Sequence, residues 1–367
     1  MSPCTTKASA FERKFFASSN ASTGFKNDYP RCFGEESAVE RLYVIKGGPG
    51  TGKSHLMRRI GRRAEALGYL VTYYYCSSDP ASLDGVRMEA DGKPCMGVLD
   101  GTAPHIWEPS MPGVKEEIIN LGVFWDSRRL REHDQEIRAL STEKSRCYNL
   151  AYRYLRACGE LVTVADTLIS PCILGDKLTS LAKRLLKSLP NGTQFFETIA
   201  HLRCIGMTGC QTFDTYAKMA EAAGGEILDI DECYGLGYEL TARLYEISRE
   251  KRLKVYVSHH PIHSHKIDGL YYPESGLCFL VGKQETISPS HRRILLQRYL
   301  NKSLFKSVRG EVRHCIKLAE EMTEGACRVL RSAGTAHFAL ESLYASAMDF
   351  EAKEKHDEAL CERIFGE

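Results

Sequence analysis

Residues 47–54 read GGPGTGKS, and each residue type there suits a phosphate. Glycines let the main chain close round an anion, and consecutive N–H groups at the start of a helix form a positively polarised nest. Lys53 has the reach to meet β- and γ-phosphates, and the Ser54 hydroxyl suits the Mg²⁺ that accompanies them. Pro49 and Thr51 stiffen and cap the turn without blocking donors. The spacing G-x-x-x-x-G-K-[ST] predicts a nucleotide-binding set of Gly47, Gly48, Pro49, Gly50, Thr51, Gly52, Lys53, Ser54 and His55, the last opening the helix.

Such a loop needs a carboxylate on a neighbouring buried strand to hold the metal's water shell. The run CMGVLD at residues 95–100 ends in Asp100, which joins Ser54 as a predicted Mg²⁺ ligand, with capping of the next turn as its plainer role. Ligands of open α/β sheets sit beyond the carboxyl ends of the strands, so CSSDPASLDG at 76–85 and GTAPH at 101–105 should face the phosphates. Asp79, Asp84 and His105 are the polar candidates there and join Lys53 and Asp100 as predicted catalytic residues; Asp79-Pro80 and Asp84-Gly85 also read as simple turns. No N-K-x-D reads guanine and no LSGGQ-like segment is present, so ATP with Mg²⁺ is the expected ligand.

The elements that must position these residues follow from the pattern. RLYVIK at 41–46 is a strand feeding the loop, 55–68 a helix ending at glycine, and 70–75 another strand. The fold class is α/β, a P-loop NTPase-type parallel sheet. Sliding the chain by 185 residues lays EILDIDECYGLGY on RLYVIKGGPGTGK, and further matches keep their order: VYVSHHP on the strand before CSSDP, Asp268-Gly269 on Asp84-Gly85, CFLVG on CMGVL. This predicts a tandem duplication with halves at 1–190 and 191–367. Its second loop is damaged, with Tyr238 in place of Lys53, Glu239 in place of Ser54 and Lys283 near the place of Asp100. A competing reading makes one ABC-like ATPase domain, with ILDIDE as the metal strand and Asp231, Glu232 and His259 or His260 acting with Lys53. Heptad stripes from Leu130 to Leu161 and from Val308 to Leu343 predict a long helical hairpin after each half, a homodimeric coiled coil being the alternative. Four histidines, His259, His260, His263 and His265, fall within seven residues and read as a solvated loop rather than a metal site.

Composition sets the outer limits. The chain has 367 residues, 43% apolar and 26% charged, with a net charge of +2, which is globular and gives no sign of nucleic acid or an anionic membrane as partner. Its 14 cysteines show no C-x-x-C spacing and no export-type segment precedes them, so reduced, mostly buried thiols in a cytoplasmic protein are expected. ATP and an unidentified protein or small molecule are the expected partners, with no membrane.

GGPGTGKS, CSSDPASLDG, DGTAPH and PGVKEEIINLGVFWD resemble the first half of a bacterial family, mainly from Firmicutes, of uncharacterised P-loop ATPase-like proteins built from two tandem P-loop halves. HLRCIGMTGCQTF and AMDF are similar to stretches of that family's second half; where the second P-loop would stand, this chain has ECYGLGYE. The resemblance implies ATP binding and hydrolysis at the first site and names no substrate. An ATPase switch with an inactive second half is the first expectation. A small-molecule or nucleotide kinase and a non-hydrolysing ATP-sensing scaffold are the alternatives.

Overall fold

The computed structural model describes residues 11–34, 38–282 and 291–366. In the first half come β1 (Arg13–Phe16), the polar ribbon β2 (Ser18–Ala21) and β3 (Gly24–Asn27), then α1 (Tyr29–Phe33), β4 (Arg41–Lys46), α2 (Lys53–Ala66), β5 (Leu70–Tyr75), β6 (Leu83–Glu89), β7 (Met96–Asp100) and β8 (Glu116–Asn120). Helices α3 (Ser127–Glu132), α4 (Asp134–Ile169) and α5 (Gly175–Leu185) follow. The six-stranded sheet runs β1-β5-β6-β7-β4-β8. It is mixed rather than parallel: β6 is antiparallel to both β5 and β7. Only residues 76–82 separate β5 from β6. A parallel crossover needs a dozen residues or more, so a return hairpin is the remaining solution.

The second half repeats this plan with β9 (Phe196–Ile199), β10 (Arg203–Gly206), β11 (Gly209–Thr212), α6 (Thr215–Ala222), β12 (Ile227–Ile230), α7 (Leu236–Glu250), β13 (Lys254–His259), β14 (Ile267–Tyr272), β15 (Leu277–Val281), β16 (Arg292–Ile294), α8 (Lys302–Ser346) and α9 (Phe350–Gly366). Its sheet order, β9-β13-β14-β15-β12-β16, is the first sheet's order element for element. Even the irregularity is shared, with register shifts at Tyr74/Tyr75 and at Ser258/His259. Equivalent residues meet where the halves join. Phe16 bridges His201, and the Asn20 side chain donates to the Ile205 carbonyl at 2.6 Å, a separation of 185 in sequence.

The ungapped register needs correction. Gly101 N–H donates to the Ile45 carbonyl and Gly282 N–H to the Ile230 carbonyl, so Val281 takes the place of Asp100; Lys283 lies outside the described residues. The buried stripe Leu56, Ile60, Ala64 of α2 matches Leu240, Leu244, Ser248 of α7. The loop before α7 is thus one residue shorter, and the counterparts of Lys53 and Ser54 are Gly237 and Tyr238 rather than Tyr238 and Glu239.

The expected hairpin within each half is also replaced. The long helix α4 pairs with α8 of the other half, running antiparallel, since Tyr154 meets Gly325 and Cys158 meets Thr323. Small residues, Ala151, Cys158, Ala319 and Ala326, let the two backbones approach. The shorter helices exchange. Leu178, Leu181 and Ala182 of α5 bury against the core that holds Leu240 and Leu244 of α7, and Leu360, Cys361 and Ile364 of α9 join Leu56, Met57 and Ile60 of α2. A boundary at 190 falls between α5 and β9, yet each half closes the other's core. No helix among the described residues is long and apolar enough to cross a membrane.

Candidate functional site

The strand β4 is buried on both faces and flanked in parallel by β7 and β8, so the chain leaving it at Lys46 emerges on the sheet's carboxyl edge. Gly50 and Gly52 take left-handed backbone angles, φ +70° and +78°, and Gly52 caps α2. A side chain at Gly50 would strike the Glu341 carbonyl of α8, 2.4 Å from its Cβ position, so the loop is folded against the coiled coil as well as against its own helix. Lys53 Nζ bonds the Gly47 and Gly48 carbonyls at 2.9 and 2.7 Å and lies 3.4 Å from Asp100 Oδ2. Asp100 stands opposite Ile45 at the end of β7, and its Oδ1 accepts from Thr102 N–H at 2.8 Å. Burial pushes the Asp100 carboxyl up, against the pull of Lys53. The Ser54 hydroxyl accepts from Leu83 N–H at 2.9 Å. A lysine, a buried carboxylate and a hydroxyl thus converge on one mouth, and the two oxygen donors are hard ligands of the kind Mg²⁺ takes.

Lys53, Ser54, Asp79, Asp84, Asp100 and His105 all line one cavity of about 1040 Å³. Asp79 is held in the turn that its sequence suggests, accepting from Ala81 N–H at 3.1 Å and the Ser82 hydroxyl at 2.8 Å. Asp84 and His105 are only 4% and 5% exposed, and their nearest charged atoms lie 3.1 Å apart. Tyr29 stacks on the His105 ring, with centroids 4.9 Å apart. Burial works against the imidazolium, but the Asp84 carboxylate more than offsets it and holds His105 above the usual histidine range. His55 departs from expectation: it is exposed, outside the cavity lining, and near Glu354 and Asp357 of α9.

The cavity's roof comes from residues the sequence reading did not select. Lys144, Tyr148, Asn149 and Tyr152 of α4 and His337 and Glu341 of α8 close over the loop. The signal was there for Lys144, a cation standing in an apolar heptad stripe. Burial lowers Lys144 below the ordinary lysine range and takes His337 down to about 4. Burial and then Asp79 push the Glu341 carboxyl up, while Lys53, the Gly50 amide and Lys144 pull it down.

The second loop is occupied by its own side chain. Glu232 accepts from Gly235 N–H at 2.5 Å and Gly237 N–H at 3.0 Å, so a carboxylate sits where the nest would receive an anion. Burial pushes this carboxyl up to about 7, opposed by the two amides and Lys266. Asp231 pairs with Arg293 at 2.6 Å. Asp231 and Glu232 follow β12 and His259 ends β13, all at the second sheet, and none of them lines the cavity of Lys53, as a single ABC-like domain would require. The histidine cluster is not a solvated loop either: His263 is buried, and with His260 it lines a separate 540 Å³ cavity under the coiled coil. All described cysteines are free. No family model, curated protein or solved structure matches this chain.

Proposed function

We propose that the first half binds Mg-ATP at the P-loop Gly47–Ser54 and cleaves it, while the second half serves as a partner with no nucleotide site of its own. The observation that carries this is the convergence of Lys53, Ser54 and Asp100 at the carboxyl ends of two adjacent parallel strands. Loop amides and Lys53 would stabilise charge on the transferring γ-phosphoryl group, and positioning plus electrostatics supply most of such catalysis. Mg²⁺, when bound, would neutralise phosphate charge, and Ser54 and Asp100 would hold it. The second nest lacks a lysine and a metal carboxylate and is filled by Glu232, which leaves neither charge nor room for a phosphate.

Water as acceptor makes the protein an ATPase switch. A kinase is the second reading, favoured by the size of the cavity, which extends past the loop to Asp84, His105 and Tyr148 and leaves space for an acceptor. One incubation with Mg-ATP separates them: ATP consumed and free phosphate released match for an ATPase, whereas a phosphorylated product from a metabolite pool marks a kinase. Lys53→Ala should lose either activity. Binding should weaken roughly ten- to a hundredfold, the value of a charge-assisted contact of about 1.5–3 kcal/mol. Equal binding and turnover by the variant would refute the assignment.

A further inference from the structure

Three side chains beside the glycine-rich loop bring sulfur, nitrogen and oxygen together. Cys76 follows β5, Asp84 lies on β6 and His105 sits in the loop after β7, so three separate elements of one rigid sheet present them. One donor atom from each falls within 4.8 Å of the others. Around a zinc ion, ligand bonds of about 2.0–2.3 Å place tetrahedral donors roughly 3.2–3.8 Å apart, a contraction that side-chain rotation can supply. His105 Nδ1 is buried without a hydrogen-bond partner, a costly state for a polar atom lining a cavity, and the His105 Nε2 atom lies 3.1 Å from Asp84 Oδ2.

We propose that Cys76, Asp84 and His105 bind one borderline-soft divalent cation, zinc in the first instance, leaving a coordination position open to the cavity. The donor set decides the metal. Thiolate and imidazole suit zinc, while Mg²⁺ prefers oxygen and octahedral geometry, which the Ser54 and Asp100 pair offers instead. Binding releases the Cys76 thiol proton and the proton held between His105 and Asp84, both to solvent. Thiolate and carboxylate then cancel the ion's double charge, so the buried group is neutral overall. Three protein ligands with a fourth position open is the pattern of a zinc that binds water or substrate rather than one that only braces a fold.

The site is independent of the nucleotide reading and is tested without nucleotide. Co²⁺ titrated into the reduced full-length protein should give tetrahedral d–d bands and a thiolate-to-cobalt charge-transfer band, saturating at one ion per chain and displaced by Zn²⁺ but not by Mg²⁺. Cys76→Ser should abolish the charge-transfer band, and Asp84→Asn and His105→Gln should each weaken binding at least roughly tenfold. The group His55, Glu354 and Asp357 holds no sulfur, so cobalt bound there gives no such band. Absence of the band in the wild type, or its persistence in Cys76→Ser, would overturn the proposal. Because the wild-type spectrum alone decides this, a poorly folding variant does not rescue it. ATP binding measured on the metal-free protein scores the P-loop separately.

Discussion

Lys53 rests on the carbonyls of Gly47 and Gly48 and beside Asp100, contacts that a phosphate would replace. Asp100 and Glu232 each stand beside a glycine loop, and they face different fates. Asp100 accepts one amide, from Thr102, and turns its other oxygen toward Lys53 and the cavity, whereas both oxygens of Glu232 are tied to amides. Asp100→Asn should therefore cut Mg²⁺-dependent turnover at least tenfold, and Glu232→Gln should leave it within about twofold, as read by initial rates under saturating Mg-ATP. The reverse order would reinstate Glu232 as a catalytic group. Glu232 also makes a pH prediction. Its carboxyl lies at about 7 in the fold against about 4.5 in the unfolded chain, so the fold holds the proton more tightly. Its contribution to stability is complete below about 4.5 and is lost as pH rises through about 7. Unfolding midpoints for the wild type and Glu232→Gln should diverge across that window, the wild type losing ground; parallel curves would show the group is not held protonated.

At the scale of elements, α8 is the part that reaches across. Its Glu341 leans on the Gly50 amide and its backbone leaves no space for a side chain there. A carboxylate at this place competes with a phosphate, so Glu341→Gln should tighten Mg-ATP binding several-fold, measured by calorimetry, and unchanged affinity would show that α8 does not gate the loop. The segment after β13 gives a second test. Burial, then the His201 charge for His259 and Lys266 for His263, depresses both histidines to about 3. The fold keeps them neutral, so their contribution is whole above the ordinary value near 6.5 and is lost as pH falls toward 3. Each costs up to about 1.4 kcal/mol per pH unit in that range. Denaturant unfolding between pH 4 and 7 should show a shallower acid loss in His263→Gln than in the wild type; equal slopes would refute it.

What could be read from the sequence divides along the same line. Local patterns carried the glycine loop on its strand and helix, Asp100 at a strand end and the repeated order of motifs, because close spacing and periodicity encode them directly. The antiparallel β6 was encoded too, in the short links at 76–82 and 90–95, but it needed loop length weighed above apolarity. The single-residue deletion before α7 escaped an ungapped alignment, since only the phase of the buried stripe reveals it. The roof over the loop was not legible. A heptad stripe states that a helix is covered, not by what, and the choice of α8 for α4 depends on where two whole sheets stand.

The molecule as a whole is two copies of one topology that complete each other. Exchange of α5 and α9 means that neither sheet is covered by its own half alone. Removing residues 350–367 should therefore destabilise the first half by several kcal/mol, since Leu360, Cys361 and Ile364 each bury apolar surface at roughly 1.5–3 kcal/mol for a full side chain. It should also cost nucleotide affinity while every proposed ligand is retained; a truncated protein with unchanged melting and binding would refute the exchange. The two loops are asymmetric: one holds Lys53 beside Asp100, the other is closed by Glu232, and on the proposed function only the first takes a nucleotide. Calorimetric titration of the intact protein with Mg-ATP tests it most directly. One nucleotide per chain, lost in Lys53→Ala, is the predicted result; two per chain, or binding that survives Lys53→Ala, would contradict it.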